Sequence, residues 1–181
     1  MRSQSINVGL FDAQMKPTII ENVQISSTDQ VTEVPIPAEL QEREFAAVLL
    51  NVGDHGYAKV VIDERSVTSF SESLSKIEDQ LTRHILWQYL WHMVLDQRLA
   101  SKTFLEVVLR HTGTERVEIL IRNAWGFVGA LVNNYLPAET VMSTKARVFD
   151  AVYTLLQQEG LDRNLVQMYL EYLSPFAERE E

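Results

Sequence analysis

Hydrophobic and polar residues follow two different periods along this chain, and the change comes near residue 64. Before it, short β-branched runs alternate with turn residues: "SINVGLFD", "TIIENVQIS", "QVTEVPI", "FAAVLLNV" and "YAKVVID". Each suits a strand, and Pro17, Asp29, Pro35, Pro37, Gly53 and Gly56 punctuate the connections. Pro35 and Pro37 lack a ladder donor, so the third run is an edge strand or ends there. Five short strands at this spacing predict part of a small antiparallel β-sandwich over residues 1–64.

From residue 65 to 181 the period is 3.6. Val117, Leu120, Ile121, Ala124, Val128, Leu131, Val132 and Tyr135 form one stripe and predict a helix over about 115–136, stopped by Pro137. Met142, Ala146, Phe149, Tyr153 and Leu156 predict the buried face of a helix over 139–158, closed near Gly160. Asp162 is positioned to cap a last helix whose apolar face holds Leu165, Met168, Tyr169 and Tyr172. Ser101 opens a short helix closed by Gly113, and residues 79–97 form one that is apolar over most of its circumference. With a first helix capped by Asp63 or Glu64 there are six. Short connections predict stacked antiparallel pairs, an α-helical superhelix. The fold class is thus α+β in two segments.

Composition narrows the function classes. The 181 residues are 46% hydrophobic and 23% charged, as in an ordinary soluble protein. A net charge of -9 repels phosphate backbones and anionic lipid, which argues against nucleic-acid and membrane partners. There is no cysteine, so disulfides, thiolate metal sites and a cysteine nucleophile are all excluded. "MRSQSINVGLFD" has no apolar core of a secretory signal, and "HILWQYLWHMVLD" is too short to span a bilayer, which predicts a cytoplasmic protein.

Candidate chemistry is sparse. "GDHG", Gly53 to Gly56, runs into a predicted strand rather than a helix N-terminus, and Asp54 would repel phosphate. A hairpin turn explains it better than a phosphate loop. Among His55, His84, His92 and His111 no H-E-x-x-H spacing occurs. His84, Gln88, His92 and Asp96 lie on one i, i+4 ridge, which reads as the polar strip of the apolar helix rather than a metal site. Trp87 and Trp91, four apart, read as core rather than as a ligand groove. Gly126 and Gly129 each cost about 1 kcal/mol inside a helix, which predicts close approach of a neighbouring helix. Asp63 and Glu64 are adjacent and make no acid/base pair. No catalytic, cofactor-binding or metal-binding residue emerges.

Two stretches nevertheless resemble the aminopeptidase N family of zinc metallopeptidases. In "LLNVGDHGYAKVVIDERS" the matching positions are Leu50, Asn51, Asp54, Tyr57, Lys59, Val60 and Asp63. In "RHILWQYLWHMVLDQRLASKTFLEVVLRH" they are Trp87, Leu90, Trp91, Met93 and Val94. "SINVGLFDAQMKPTII" resembles the strand pair that opens the family's β-sandwich. The resemblance runs over most of residues 5–135 and implies the C-terminal region of such an enzyme, the β-sandwich plus the start of the helical domain. Zinc, its H-E-x-x-H motif and the G-x-M-E-N loop belong to the family's catalytic domain, and neither motif occurs here, so no catalytic residue carries over. The resemblance further implies a fragment truncated at both ends. Its partners would be the catalytic domain of the same parent protein and peptide substrates at a concave helical face, and the isolated chain would self-associate. The alternative is a free-standing helical scaffold for protein or peptide interaction.

Overall fold

Asp12 folds the chain back on itself. In the computed structural model, which describes residues 3–26 and 30–177, its Oδ1 accepts from the N–H groups of Gln14 and Lys16, both at 2.9 Å. Met15 takes a left-handed φ of 64° in the same turn. The turn joins β1 (Gln4–Phe11) to β2 (Pro17–Ile25) in an antiparallel pair. Register shifts between Ile6 and Val8, where Asn22 sits at φ 56° and donates its N–H to Asn7 Oδ1, a β-bulge. β3 (Ala47–Leu50) pairs antiparallel with the other side of β1, giving the order β2-β1-β3.

Period-two alternation decides the faces of the sheet. Ile6, Val8 and Leu10 bury together with Val23, and the long β2–β3 connection covers them with Leu40, Val34 and Phe45. On α1 (Glu64–Ser73) Phe70 meets Phe11 of β1 edge to face, with ring centroids 5.3 Å apart. Asp63 caps α1 by accepting from the Ser66 N–H at 3.0 Å. The same helix closes the outer edge of β3. Ser66 Oγ accepts from Val48 N–H and Ser69 Oγ donates to the Ala46 carbonyl, both at 2.8 Å, while Arg65 donates to the Phe45 carbonyl. An edge occupied by side chains in this way cannot recruit a foreign strand.

Two of the five expected strands do not pair. "QVTEVPI" makes no ladder among the described residues. Pro35 and Pro37 remove donors, and the chain instead turns at Ala38–Leu40 so that Leu40 plugs the sheet. "YAKVVID" is likewise unpaired, so the stretch before it is not a hairpin. Asn51, Gly53 and Asp54 are all left-handed, at φ 59°, 84° and 55°, and three such residues in four steer the chain away from β3. A small antiparallel β segment followed by six helices is therefore the architecture, with one three-stranded sheet among the described residues.

The chain divides into two compact units, Met1–Asp96 and Gln97–Glu181. Strands give way to helices at Glu64, but α1 and α2 (Gln80–Leu95) lie in the first unit with the sheet. Asp79 caps α2, its Oδ2 accepting from the Thr82 N–H and hydroxyl, both at 2.7 Å. The Thr82 hydroxyl bond, set against partial burial, holds this carboxyl below the usual aspartate range. A depressed folded-state pKa contributes stability that is present above the unfolded value and lost as pH falls through the folded one. Asp79→Ala should therefore cost about 1 kcal/mol near pH 7 and almost nothing near pH 2, checked by denaturant titrations at both.

The second unit packs consecutive helices on one another: α3 (Ser101–His111), α4 (Glu118–Asn134), α5 (Ala138–Leu156) and α6 (Arg163–Leu173). Asp162 caps α6, accepting from the Leu165 N–H at 2.9 Å. In α4 the expected stripe is buried from Leu120 to Val132, joined by Trp125, while Tyr135 is exposed. In α5 a neighbouring stripe packs, about 100° round the helix from the expected one. Val148 and Val152 are fully buried, whereas Met142 and Tyr153 are exposed, with the Tyr153 ring stacked on Phe149. Both stripes satisfy the helical period, so periodicity alone cannot choose between them. Arg147 forks onto Glu106 at 2.5 and 2.6 Å, an exposed pair that contributes little.

The close approach expected at Gly126 and Gly129 is absent, because a Cβ on either would meet nothing within 4 Å. Both lie off the packed stripe of α4. Without a neighbour to clash with, Gly126→Ala should stabilise the second unit by about 0.5–1 kcal/mol, visible as a higher denaturation midpoint.

Candidate functional site

Two stretches that the sequence treats separately, the loop at Gly53–Gly56 and the polar ridge of α2, line one cavity of about 550 Å³ in the first unit. Asn51 builds the loop wall. It is completely buried and left-handed, and its side chain acts as a backbone splint. Oδ1 accepts from the Gly56 N–H at 2.8 Å, while Nδ2 donates to the Gly56 carbonyl at 2.9 Å and to the Tyr89 hydroxyl at 3.2 Å. The loop is thereby tied to α2 through one side chain. Beyond it, Tyr57 is almost fully exposed, and Lys59 reaches Asp96 at the end of α2 at 2.6 Å. That ion pair is mostly in water and contributes little to stability.

The opposite wall is α2. Ile85, Leu86, Trp87, Leu90, Trp91, Met93 and Val94 are buried, so only a narrow strip of the helix is left for polar residues. His84, Gln88 and His92 occupy that strip and face the cavity. Tyr89 joins them. Burial raises its phenol above the usual range, the Asn51 bond opposes this, and the Asp54 charge adds to it. The group therefore stays protonated at neutral pH. Because its oxygen accepts from Asn51, the hydroxyl proton remains available to a further acceptor.

The remaining candidates disperse. His55 lies over Gly53, where its ring would block a side chain. His111 is buried in α3 of the second unit. Trp87 and Trp91 are core residues, 1% and 8% exposed. Asp63 caps α1. Among the described residues no three His, Asp or Glu side chains converge as metal ligands, so zinc has no fitting donor set here. No serine, threonine or cysteine lines the cavity, and the hydroxyls beside the two imidazoles are those of Tyr57 and Tyr89. The cavity thus presents hydrogen-bond donors, the Asp54 carboxylate and two phenol rings.

The parts that sequence reasoning did not find are Asn51 and Tyr89. One signal for Asn51 was available: an asparagine immediately before a Gly-Asp turn tolerates left-handed backbone and can bond locally. Tyr89 carried none, since an aromatic on an apolar helix looks like core. Among the described residues, no helix is long and apolar enough to cross a membrane.

No protein-family model matches the chain. It is 30% identical over 117 residues, 64% of its length, to aminopeptidase N of Streptomyces lividans. The chain spans only 13% of that protein. The similarity is a distant one.

Proposed function

We propose that the chain is a non-catalytic C-terminal portion of a zinc-dependent aminopeptidase, where it shapes and caps the chamber that receives peptide substrates. The observation that carries this reading is the similarity to aminopeptidase N, which covers most of this chain but a small part of that protein. Two features support it. The sequence has no H-E-x-x-H, and the cavity between the Gly53–Gly56 loop and α2 is lined by polar groups that can hold a ligand. In this reading zinc sits in another part of the polypeptide and activates the attacking water there. The residues present contribute walls and charge. A surface with a net charge of -9 attracts the protonated amino terminus of a peptide and raises its local concentration.

The test is to sequence the transcript that encodes these residues. An H-E-x-x-H motif in frame upstream is the expected result. An in-frame stop immediately upstream would sink the proposal and leave the free-standing scaffold.

A further inference from the structure

The cavity between the Gly53–Gly56 loop and α2 holds one charge that the protein leaves unmatched. Besides the imidazoles, two ionisable side chains of opposite sign line it, Asp54 and Lys59. Lys59 is matched, since its Nζ meets Asp96 at 2.6 Å. Asp54 is not. Among the described residues its carboxylate has one side-chain partner, Asn51 Nδ2, at 3.3 Å. That nitrogen carries two hydrogens and faces three acceptors. The Gly56 carbonyl at 2.9 Å and the Tyr89 hydroxyl at 3.2 Å are both nearer to it than the carboxylate. Asp54 therefore keeps acceptor capacity to spare.

Unused donors stand on the other wall. Gln88 and His84 are half-buried and face the cavity, yet neither side chain has a hydrogen-bond partner among the described residues. The Tyr89 hydroxyl accepts from Asn51 and keeps its proton for another acceptor. Asp54 Oδ1 and the Tyr89 oxygen both lie within 3.3 Å of the same Asn51 nitrogen, so one small molecule can reach the carboxylate and a donor together.

We propose that this cavity binds a free α-amino acid with a large apolar or aromatic side chain. Its ammonium bonds Asp54, its carboxylate accepts from Tyr89 and Gln88, and its side chain packs on Ile85 and the Tyr57 ring. The inference goes beyond the reading given under Proposed function and does not depend on it. Charge selects the ligand. An anion alone meets Asp54 on a chain of net charge -9, and the lysine that would offset this is already held by Asp96. A bare amine satisfies Asp54 but leaves the Tyr89 and Gln88 donors without an acceptor. A neutral polyol matches both walls, but charge-assisted hydrogen bonds are about twice as strong as neutral ones, which favours an ammonium on Asp54. Size agrees, because about 550 Å³ is ordinary for a small-molecule site and exceeds what the two charged ends need. Ile85 lies in the wall at 3% exposure, and the Tyr57 ring, 97% exposed, is free to cover an apolar group.

NMR titration of the isotope-labelled 181-residue chain near pH 7 tests this with three probes that share a phenyl ring. They are L-phenylalanine, 3-phenylpropionate, which lacks the ammonium, and 2-phenylethylamine, which lacks the carboxylate. L-Phenylalanine should shift the Gly53–Gly56 amides and the Gln88 side-chain amide saturably, with a Kd of about 1 mM. Each single-charge probe should bind about tenfold more weakly. Asp54→Asn should weaken L-phenylalanine about tenfold and leave 3-phenylpropionate no weaker than before. Asparagine accepts the left-handed φ of 55° at this position, so the loop keeps its shape. No saturable shift at those groups below about 10 mM L-phenylalanine would overturn the site. Binding of 3-phenylpropionate or 2-phenylethylamine as tight as that of L-phenylalanine would overturn the amino-acid assignment, and this comparison needs no variant. Undiminished L-phenylalanine binding by folded Asp54→Asn would overturn the role given to Asp54.

Discussion

Replacing Trp87 with alanine should lower the stability of the first unit by about 3–5 kcal/mol. The indole is 1% exposed and sits on a helix that is covered on several sides, so its removal leaves a cavity that neighbours on α2 cannot fill by turning. A buried aromatic side chain removes some 150–250 Å² from water, about 4–6 kcal/mol at about 25 cal/mol per Å², part of which the remaining alanine keeps. Leu81 on the same helix is 41% exposed, and Leu81→Ala should stay within about 0.5 kcal/mol. Urea denaturation followed by far-UV circular dichroism distinguishes the two. A Trp87→Ala loss below about 1 kcal/mol would mean that the helix is not packed as described.

The second large effect belongs to Asn51. Alanine there leaves the Gly56 N–H and C=O and the Tyr89 hydroxyl without their partner, and it places a Cβ at φ 59°. Lost bonds to buried groups and a left-handed alanine together should cost about 3 kcal/mol. Asn51→Gly separates the two contributions, because glycine loses the same bonds without the backbone strain. The order of denaturation midpoints should be wild type, then Asn51→Gly, then Asn51→Ala, with the last two about 1 kcal/mol apart. Equal losses would show that the backbone conformation at residue 51 is not strained.

Both variants act on parts of the molecule that were unequally legible. Trp87 reads as core from its neighbours, because a helix apolar over most of its surface has to be covered whatever the tertiary fold. Asp63 and Asp162 are similarly plain, since an N-cap bonds its own helix and needs no distant partner. The cavity was not legible in that way. It exists only because three left-handed residues turn the chain away from β3 and bring Asp54, Tyr57 and Lys59 against His84, Gln88 and His92. Each half is bland alone, a turn and a polar strip, and their juxtaposition is a tertiary fact. The choice of face on α5 failed for a related reason. Two stripes have the same period, and only the identity of the neighbouring helices selects Val148 and Val152 over Met142 and Tyr153. "YAKVVID" is the most instructive case. From Lys59 to Asp63 buried and exposed residues alternate as in a strand, yet the stretch makes no ladder among the described residues.

The similarity to aminopeptidase N underlies the proposed account, a part that binds and encloses while the chemistry lies elsewhere in a longer polypeptide. The purified 181-residue chain tests this directly when it is incubated with zinc, dialysed, and assayed for bound metal and for hydrolysis of leucine 4-nitroanilide. The account predicts no stoichiometric zinc and no release of nitroaniline above the buffer rate. One zinc per chain together with turnover of that substrate would contradict it.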